Sequence, residues 1–200
     1  MIGRARRSCP FRSRHDEVKK SEPKNREEQH MTNGFISIQP EEIKDNTFHL
    51  IGQEWMLITA GTPESFNMMT ASWGGFGILW HRKICVCFVR PERHTREFIE
   101  KERYFTLSFF SEQYRDMLNY CGTKSGKDVD KSKETGLTPC SSEKGSIYFA
   151  EARLVIECEK LYYQDINPAH FLNESINENY PQKDYHRIYI GEVTQCLQKK

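Results

Sequence analysis

The sequence predicts a mainly β fold, a barrel with a few helices around it. Several short segments rich in β-branched and aromatic residues carry the strand pattern, and only two longer helical patterns interrupt them. No βα unit repeats along the chain, which argues against a doubly wound sheet. The 200 residues, 37% of them hydrophobic, are enough for one domain with one core.

Six segments carry the strand pattern. The first, 55–60, is closed by Gly61, and 83–89 is dense in β-branched residues and cysteine. In 104–110, three apolar residues alternate with Thr106 and Ser108, so one face of this strand should be apolar. In the last segment, two isoleucines share a face opposite Tyr189. The other strand segments are 146–150, 153–163 and 185–193.

Helical patterns separate some of these strands. A short helix start is expected at 40–43, where Pro40 precedes two acidic residues. A helix over 92–101 should follow Pro91. A third, over 111–120, has Ser111 as its predicted N-cap and apolar side chains at helical spacing.

The first 30 residues differ in composition from the rest of the chain. They hold nine basic and five acidic residues and little that could be buried. Such a segment cannot offset its ordering entropy, so residues 1–31 are predicted to be a disordered basic tail. The folded domain is predicted to span 32–200.

Charge and cysteine content restrict the function classes. The net charge of +1 gives no general reason to expect a nucleic-acid or membrane partner, and no apolar run approaches the length of a membrane span. The one close pair, Cys85 and Cys87, is interpreted as small core residues and not as a metal site. Seven scattered cysteines without a CxxC pair fit a reducing compartment. Because no signal-peptide pattern is present, we expect a cytoplasmic protein.

Familiar catalytic motifs are missing. The segment 122–128 superficially resembles the phosphate-binding loop of nucleotide-binding proteins. Its two glycines are one residue closer together than that motif requires, and Asp128 stands where a Ser or Thr would hold magnesium. No GxGxxG, HExxH or GxSxG pattern occurs. The sequence therefore contains no motif that would indicate metal-dependent or serine hydrolysis.

Three polar segments beside predicted strands could bind a ligand. In 66–77, small residues allow close backbone approach, Thr70 and Ser72 add hydroxyl groups, and Trp73 and, further on, Trp80 offer flat faces; the alternative is a bulged strand end. In 89–96, arginines at a helix start indicate a binding site for a phosphate group, although a solvated basic helix start would explain the same residues equally well. The loop 122–130 could also take a phosphate or be a plain surface loop.

Together these segments resemble the flavin reductase-like (flavoredoxin-like) family, which has an FMN-binding split barrel with a few peripheral helices. The resemblance runs from about residue 48 to residue 193. It is carried by four stretches in order: 67–75 (NMMTASWGG), 89–95 (VRPERHT), 124–131 (KSGKDVDK) and 186–193 (HRIYIGEV).

The resemblance implies a homodimer with FMN near the subunit interface. Cofactor-binding roles carry over by position to two groups. The isoalloxazine and ribityl chain would be lined by Asn67, Thr70, Ala71, Ser72 and Trp73, and the phosphate by Arg90, Arg93, His94, Thr95, Ser125, Gly126 and Lys127. Lys127 stands where related sequences often have arginine, which replaces a bidentate fork by a point charge.

The implied activity is that of an oxidoreductase in which NADH or NADPH passes a hydride to bound flavin. A flavoredoxin-type electron carrier, reduced by a redox protein partner, is the alternative. His186 could contribute catalytically by a hydrogen bond to flavin or nicotinamide, although a lone histidine at a strand start is more often structural. A nucleic-acid-binding barrel is the remaining alternative, and the slightly acidic domain disfavours it.

Overall fold

The structure is a computed structural model and describes residues 34–200, so the predicted tail 1–31 lies outside the described residues. The strands are β1 (Phe35–Ile38), β2 (Met56–Thr62), β3 (Ser65–Ala71), β4 (Gly74–Leu79), β5 (Arg82–Val89), β6 (Tyr104–Phe109), β7 (Pro139–Ser141), β8 (Ile147–Phe149), β9 (Leu154–Asp165) and β10 (Arg187–Lys199). The helices are α1 (Thr47–His49), α2 (Thr95–Lys101), α3 (Arg115–Thr123) and α4 (Lys131–Thr135), with short 3-10 or π-helical segments at Pro40–Glu42, Leu50–Glu54, Glu112–Tyr114, Pro168–His170 and Glu174–Asn179.

Eight strands form one antiparallel sheet that curls into a barrel but does not close. Its order is β3-β2-β6-β9-β10-β5-β4, with β1 paired to the last part of β10. The two ends of this order, β3 and β4, are joined through Ser72 and Trp73 but do not pair with each other. The predicted split β-barrel is therefore confirmed, and the split lies at the first of the three polar segments.

Alternation along the strands produces a core on each side of the sheet. Phe105, Leu107 and Phe109 of β6 lie together in the barrel interior, as predicted. The opposite face of β6 is also buried, because the β7–β8 hairpin covers it: Thr106 Oγ1 donates to the carbonyl of Ile147 at 2.6 Å. The second core lies on this outer side, between the sheet, α3 and the hairpin.

Four cysteines occupy the barrel interior as small apolar residues, which confirms the role predicted for Cys85 and Cys87. Cys85 and Cys87 of β5, Cys158 of β9 and Cys196 of β10 are each at most 1% exposed. Burial raises the pKa of the Cys158 thiol well above its usual value. Among residues 34–200, no group of three His, Cys, Asp or Glu side chains is arranged to hold a metal ion.

Several predicted boundaries were wrong. The segment 66–77 lies on two strands, β3 and β4, joined by Ser72 and Trp73, and is not a bulged strand end. The helix expected over 92–101 begins at Thr95, because a turn in which Arg93 N–H donates to the carbonyl of Arg90 comes first. Ser111 makes no side-chain cap; a 3-10 turn follows it, and α3 starts at Arg115. None of the helices in the described part of the chain is long and apolar enough to cross a bilayer.

Candidate functional site

Two adjoining cavities lie where the barrel is split. The first, here the split cavity, has a volume of about 200 Å³ and is lined by Met69, Thr70, Ala71, Ser72, Trp73, Phe88, Arg90, Arg93 and His186. The second, here the loop cavity, measures about 280 Å³ and lies between β3, the start of α2 and the loop after α3. It is lined by Asn67, Met69, Glu92, Arg93, His94, Thr95, Gly122, Thr123, Lys124, Ser125, Gly126 and Lys131. Met69 and Arg93 border both cavities, so the two are neighbours.

All but one of the predicted site residues line one of these two cavities. The exception is Lys127, whose ammonium pairs with Glu97 at 2.9 Å on the protein surface. Lys127 instead borders a third cavity of about 550 Å³ on the far side of Asn67 and Gly126. The structure thus brings together the three polar segments, which lie up to about 60 residues apart in sequence.

The wall of the split cavity comes from β3 and the connection to β4. Thr70 Oγ1 donates to the carbonyl of Leu118 at 2.6 Å, so its proton is used to hold α3 against the strand. Trp73 is 44% exposed, and its ring centroid lies 4.9 Å from that of His186. The cavity therefore has one flat aromatic side and one side of backbone and hydroxyl groups.

The prediction that Trp80 offers a flat face at the ligand site was wrong. It lies in the turn between β4 and β5, at the opposite end of β4 from Trp73, and contacts Tyr162 instead of the cavity. Antiparallel pairing of β4 with β5 carries the chain away from the split, which sequence proximity to Trp73 did not reveal.

Arg90 lies in the split cavity, apart from the predicted phosphate residues Thr95 and Ser125. Its guanidinium forms an ion pair with Asp184 and donates to the carbonyl of Asn179 at 2.9 Å. The arginine holds the pKa of the Asp184 carboxyl below its usual value. Arg90 therefore fastens the loop before β10 over the cavity.

His186 is buried beside this ion pair. Its Nδ1 lies 3.0 Å from the hydroxyl of Tyr180, a residue that the sequence did not single out. Burial, and then the nearby Arg90, lower the pKa of His186 to about 4. The imidazole is consequently neutral at pH 7, with one nitrogen able to donate and the other able to accept a hydrogen bond.

The loop cavity is formed by side chains that hold its walls together. Asn67 Nδ2 donates to Thr95 Oγ1 at 3.0 Å, and both residues are buried. The Arg93 guanidinium donates to the carbonyl of Gly122. Gly126 packs directly on the Asn67 amide, so the loop approaches β3 as closely as a missing side chain permits.

Lys131 is a cavity residue that sequence reasoning missed. It is 4% exposed, and its Nζ donates to the carbonyls of Met68 and Cys121, both at 2.9 Å. Burial lowers its pKa to about 8. Its place as the last residue of the 124–131 stretch was the only signal in the sequence, because nothing there shows which lysine of the loop turns inward.

Comparison with known proteins identifies the family. The model of the family described as "Flavin reductase like domain" matches residues 48–200. The chain belongs to the flavin reductase-like family. The match includes β2 to β10, and with them every residue that lines the split and loop cavities. A search of curated proteins found no match.

Several solved structures share the fold of this chain. Flavoredoxin from Methanosarcina acetivorans is similar with a TM-score of 0.58 and 20% identity, over 74% of this chain and 69% of that one. An FMN-binding domain of a flavin reductase-like enzyme from Shewanella baltica has a TM-score of 0.61 and 17% identity, over 85% of this chain and 80% of that one. The NADH:FAD oxidoreductase from Streptomyces globisporus has a TM-score of 0.54 and 16% identity, over 72% of this chain and 75% of that one.

Proposed function

We propose that this flavin reductase-like protein binds FMN across the split and loop cavities and is reduced by NADH or NADPH. The observation that carries the proposal is the adjacency of two cavities of different chemistry. The split cavity offers a flat aromatic side, while the loop cavity offers Arg93, Thr95, Ser125 and Lys131. A ligand with a planar ring system, a polyol chain and a terminal phosphate matches this order of surfaces.

The residues present fit such a ligand. Met69 to Trp73 would line the ring and the ribityl chain, with hydroxyl groups on one side and Trp73 on the other. The phosphate would lie among Thr95, Ser125 and Gly126, next to the Arg93 guanidinium. Gly126 packs on the Asn67 amide with no space for a β-carbon, so only glycine lets the loop backbone come this close to β3. FMN when bound supplies the hydride-accepting chemistry, and the protein supplies orientation and electrostatics.

His186 would act as a neutral hydrogen-bonding group at the ring end of the site. Because its pKa is about 4, it does not become an imidazolium near neutral pH. The Tyr180 hydroxyl on Nδ1 fixes the orientation of the ring. We therefore propose that His186 orients a ligand and does not transfer a proton during turnover.

A flavoredoxin-type electron carrier is the second candidate. It is favoured by the similarity to a structure named flavoredoxin, whereas the similarity to one named NADH:FAD oxidoreductase favours the reductase. Both candidates use the same flavin site. They differ only in whether a nicotinamide or a protein delivers the electrons.

A visible spectrum followed by anaerobic titration separates these possibilities. We expect purified protein incubated with FMN to retain a flavin absorption band after gel filtration, and NADH or NADPH to bleach that band. Bleaching only by a reduced redox protein would favour the carrier. Absence of any retained flavin would reject both.

We further propose a homodimer that uses the outward face of β5, β9 and β10. Val86, Phe88, Ile188 and Ile190 lie on this face, next to Tyr162, which is 41% exposed. Phe88 also borders the split cavity, so this face is continuous with the site. Exposed apolar surface of this kind is typical of subunit interfaces.

Sedimentation equilibrium tests the dimer. We expect the wild type to sediment as a dimer and Ile190→Glu to sediment as a monomer, because a charge would be buried at the interface. Lys133→Glu, on exposed α4, is the matched control and should remain dimeric. A monomeric wild type would reject the proposal.

Cytoplasmic location and the domain boundary near residue 31 remain proposals. Five buried cysteines of the described residues form no disulfide, which fits a reducing compartment; they are Cys85, Cys87, Cys121, Cys158 and Cys196. Fractionation of cells that express the full chain tests the location, and limited proteolysis tests whether cleavage falls before residue 32.

A further inference from the structure

A third region of the barrel, away from the candidate flavin site, encloses a cavity with mainly apolar walls. This cavity, here the remote cavity, has a volume of about 260 Å³ and lies between β4, β5, β10 and the segment before α1. Lys83, near the start of β5, borders it, whereas Phe88, near the other end of the same strand, borders the split cavity. Five residues of a strand span about 17 Å, so the two cavities are well separated.

The walls of the remote cavity run from the barrel core to the protein surface. Ile156 of β9 is 1% exposed and Ile84 of β5 is 6% exposed, whereas Ile78 near the end of β4 is 72% exposed. Phe76 continues the core into the cavity, because its ring centroid lies 6.4 Å from that of Phe109. The other aliphatic side chains on the walls are Ile43 and Val193. A ligand with an apolar chain would therefore contact the core and remove the surface of Ile78 from water.

Three charged side chains also border the remote cavity, and they differ in how firmly they are paired. Asp45 accepts a hydrogen bond of 2.7 Å from the Arg153 guanidinium, so its charge is compensated within the fold. The Lys83 ammonium lies 2.8 Å from the carboxylate of Glu41, which is 67% exposed. Exposed ion pairs contribute little to stability. The Lys83 ammonium is therefore the charge at this cavity whose partner a ligand can replace.

We propose that the remote cavity binds a medium-chain monocarboxylate, whose carboxylate takes the place of Glu41 at the Lys83 ammonium. The apolar chain would lie against Phe76, Ile78 and Val193, and the carboxylate would accept a charge-assisted hydrogen bond. The volume of about 260 Å³ is just below the usual range of ligand pockets, which restricts the ligand to a short one. This function goes beyond flavin chemistry and does not depend on it.

Isothermal titration of the full chain with octanoate and with octanol tests the proposal. The two probes have the same number of carbons, but only octanoate carries a negative charge at pH 7. We expect octanoate to bind one site per chain with a dissociation constant below about 1 mM, and octanol to bind at least about threefold more weakly. Saturation of the protein with FMN should leave the octanoate affinity unchanged.

Two substitutions at the ion pair should have opposite effects. Lys83→Gln should weaken octanoate binding at least about fivefold and change octanol binding less than about twofold. Glu41→Gln removes the competing carboxylate and should strengthen octanoate binding about three- to tenfold, which a merely structural ion pair would not do. Both side chains are partly exposed, so neither substitution should prevent folding, which circular dichroism checks. Lys133→Gln, on exposed α4, is the matched control and should bind octanoate as the wild type does.

Several results would overturn this proposal and leave the proposed flavin function intact. They include no binding of octanoate at about 5 mM, equal affinity for octanoate and octanol, and a Glu41→Gln variant that binds octanoate no better than the wild type. Displacement of octanoate by FMN would mean that the carboxylate binds in the flavin site. Octanoate affinity that rises when the protein is diluted would mean that a second copy of the chain covers the cavity.

Discussion

Asn67 and Gly126 are in direct contact between β3 and the loop that follows α3. A β-carbon on Gly126 would overlap the amide of Asn67, which in turn donates to Thr95 at 3.0 Å. The contact thus links three parts of the candidate site: the end strand β3, the loop 124–130 and the start of α2. It also separates the loop cavity from the larger cavity next to it.

Gly126→Ala should therefore impair flavin binding more than folding. The new methyl group must displace either the loop or Asn67, and the Asn67–Thr95 hydrogen bond is then lost or bent. We expect the dissociation constant for FMN to rise at least about tenfold, as for a lost buried hydrogen bond with displaced ligand contacts. Gly77→Ala, at a glycine with no atom within 4 Å of an added β-carbon, is the control and should bind FMN normally. Equal FMN affinity in the two variants would contradict the role of this contact.

The neutral state of His186 predicts a pH dependence of stability. Its pKa is about 4 in the folded protein and about 6.5 in an unfolded chain, so the unfolded state binds the proton more readily. The contribution of His186 is fully present above about pH 6.5 and is lost as the pH falls towards 4. We expect His186→Gln to reduce the rise in unfolding free energy between pH 4.5 and pH 6.5. Urea unfolding at several pH values measures this, and His170→Gln, at an exposed site, should leave the rise unchanged.

Gly191→Ala should destabilise the barrel. An added β-carbon would lie 2.9 Å from Cys158 Cβ and 2.9 Å from the ring of Phe105, both of which are fixed in the core. Overpacking of this kind costs about 1–3 kcal/mol. Gly75→Ala, on β4 with open space around it, should change the free energy of unfolding by less than about 0.5 kcal/mol. Similar denaturation midpoints for the two variants would show that the core adapts at Gly191.

The turn between β4 and β5 stores backbone strain. Trp80 and His81 both have positive φ, at 52° and 58°, which is the conformation that Asn-Gly adopts most readily in two-residue hairpins. Replacing the pair by Asn-Gly should raise the free energy of unfolding by about 1 kcal/mol. Thermal denaturation tests this. A less stable variant would mean that the contact of Trp80 with Tyr162 outweighs the strain.

Strand content and core positions were predictable because they depend on local alternation. The inward face of β6 follows from its alternating apolar residues, and the cysteines behaved as small core residues. Helix starts were less predictable. A proline and a serine in favourable positions did not decide where α2 and α3 begin, since turns formed by neighbouring backbone groups came first.

The outward face of β10 also could not be predicted from the sequence alone. Alternation placed Ile188 and Ile190 together but did not indicate which side faces the barrel. In the structure, Tyr189 and Gly191 point inward and the isoleucines are half-buried on the outer face. Only the strands that pair with β10 on either side determine this choice.

The sequence by itself determined the fold class, the family and the three segments that meet at the candidate site. Those features depend on residue type and order along the chain. Tertiary structure alone decided that Lys127 faces Glu97 while Lys131 is buried, that Trp80 is remote, and that Tyr180 and Asp184 adjoin His186 and Arg90. The physical reason is that side-chain direction and burial arise from pairings between residues distant in sequence, which local patterns do not encode.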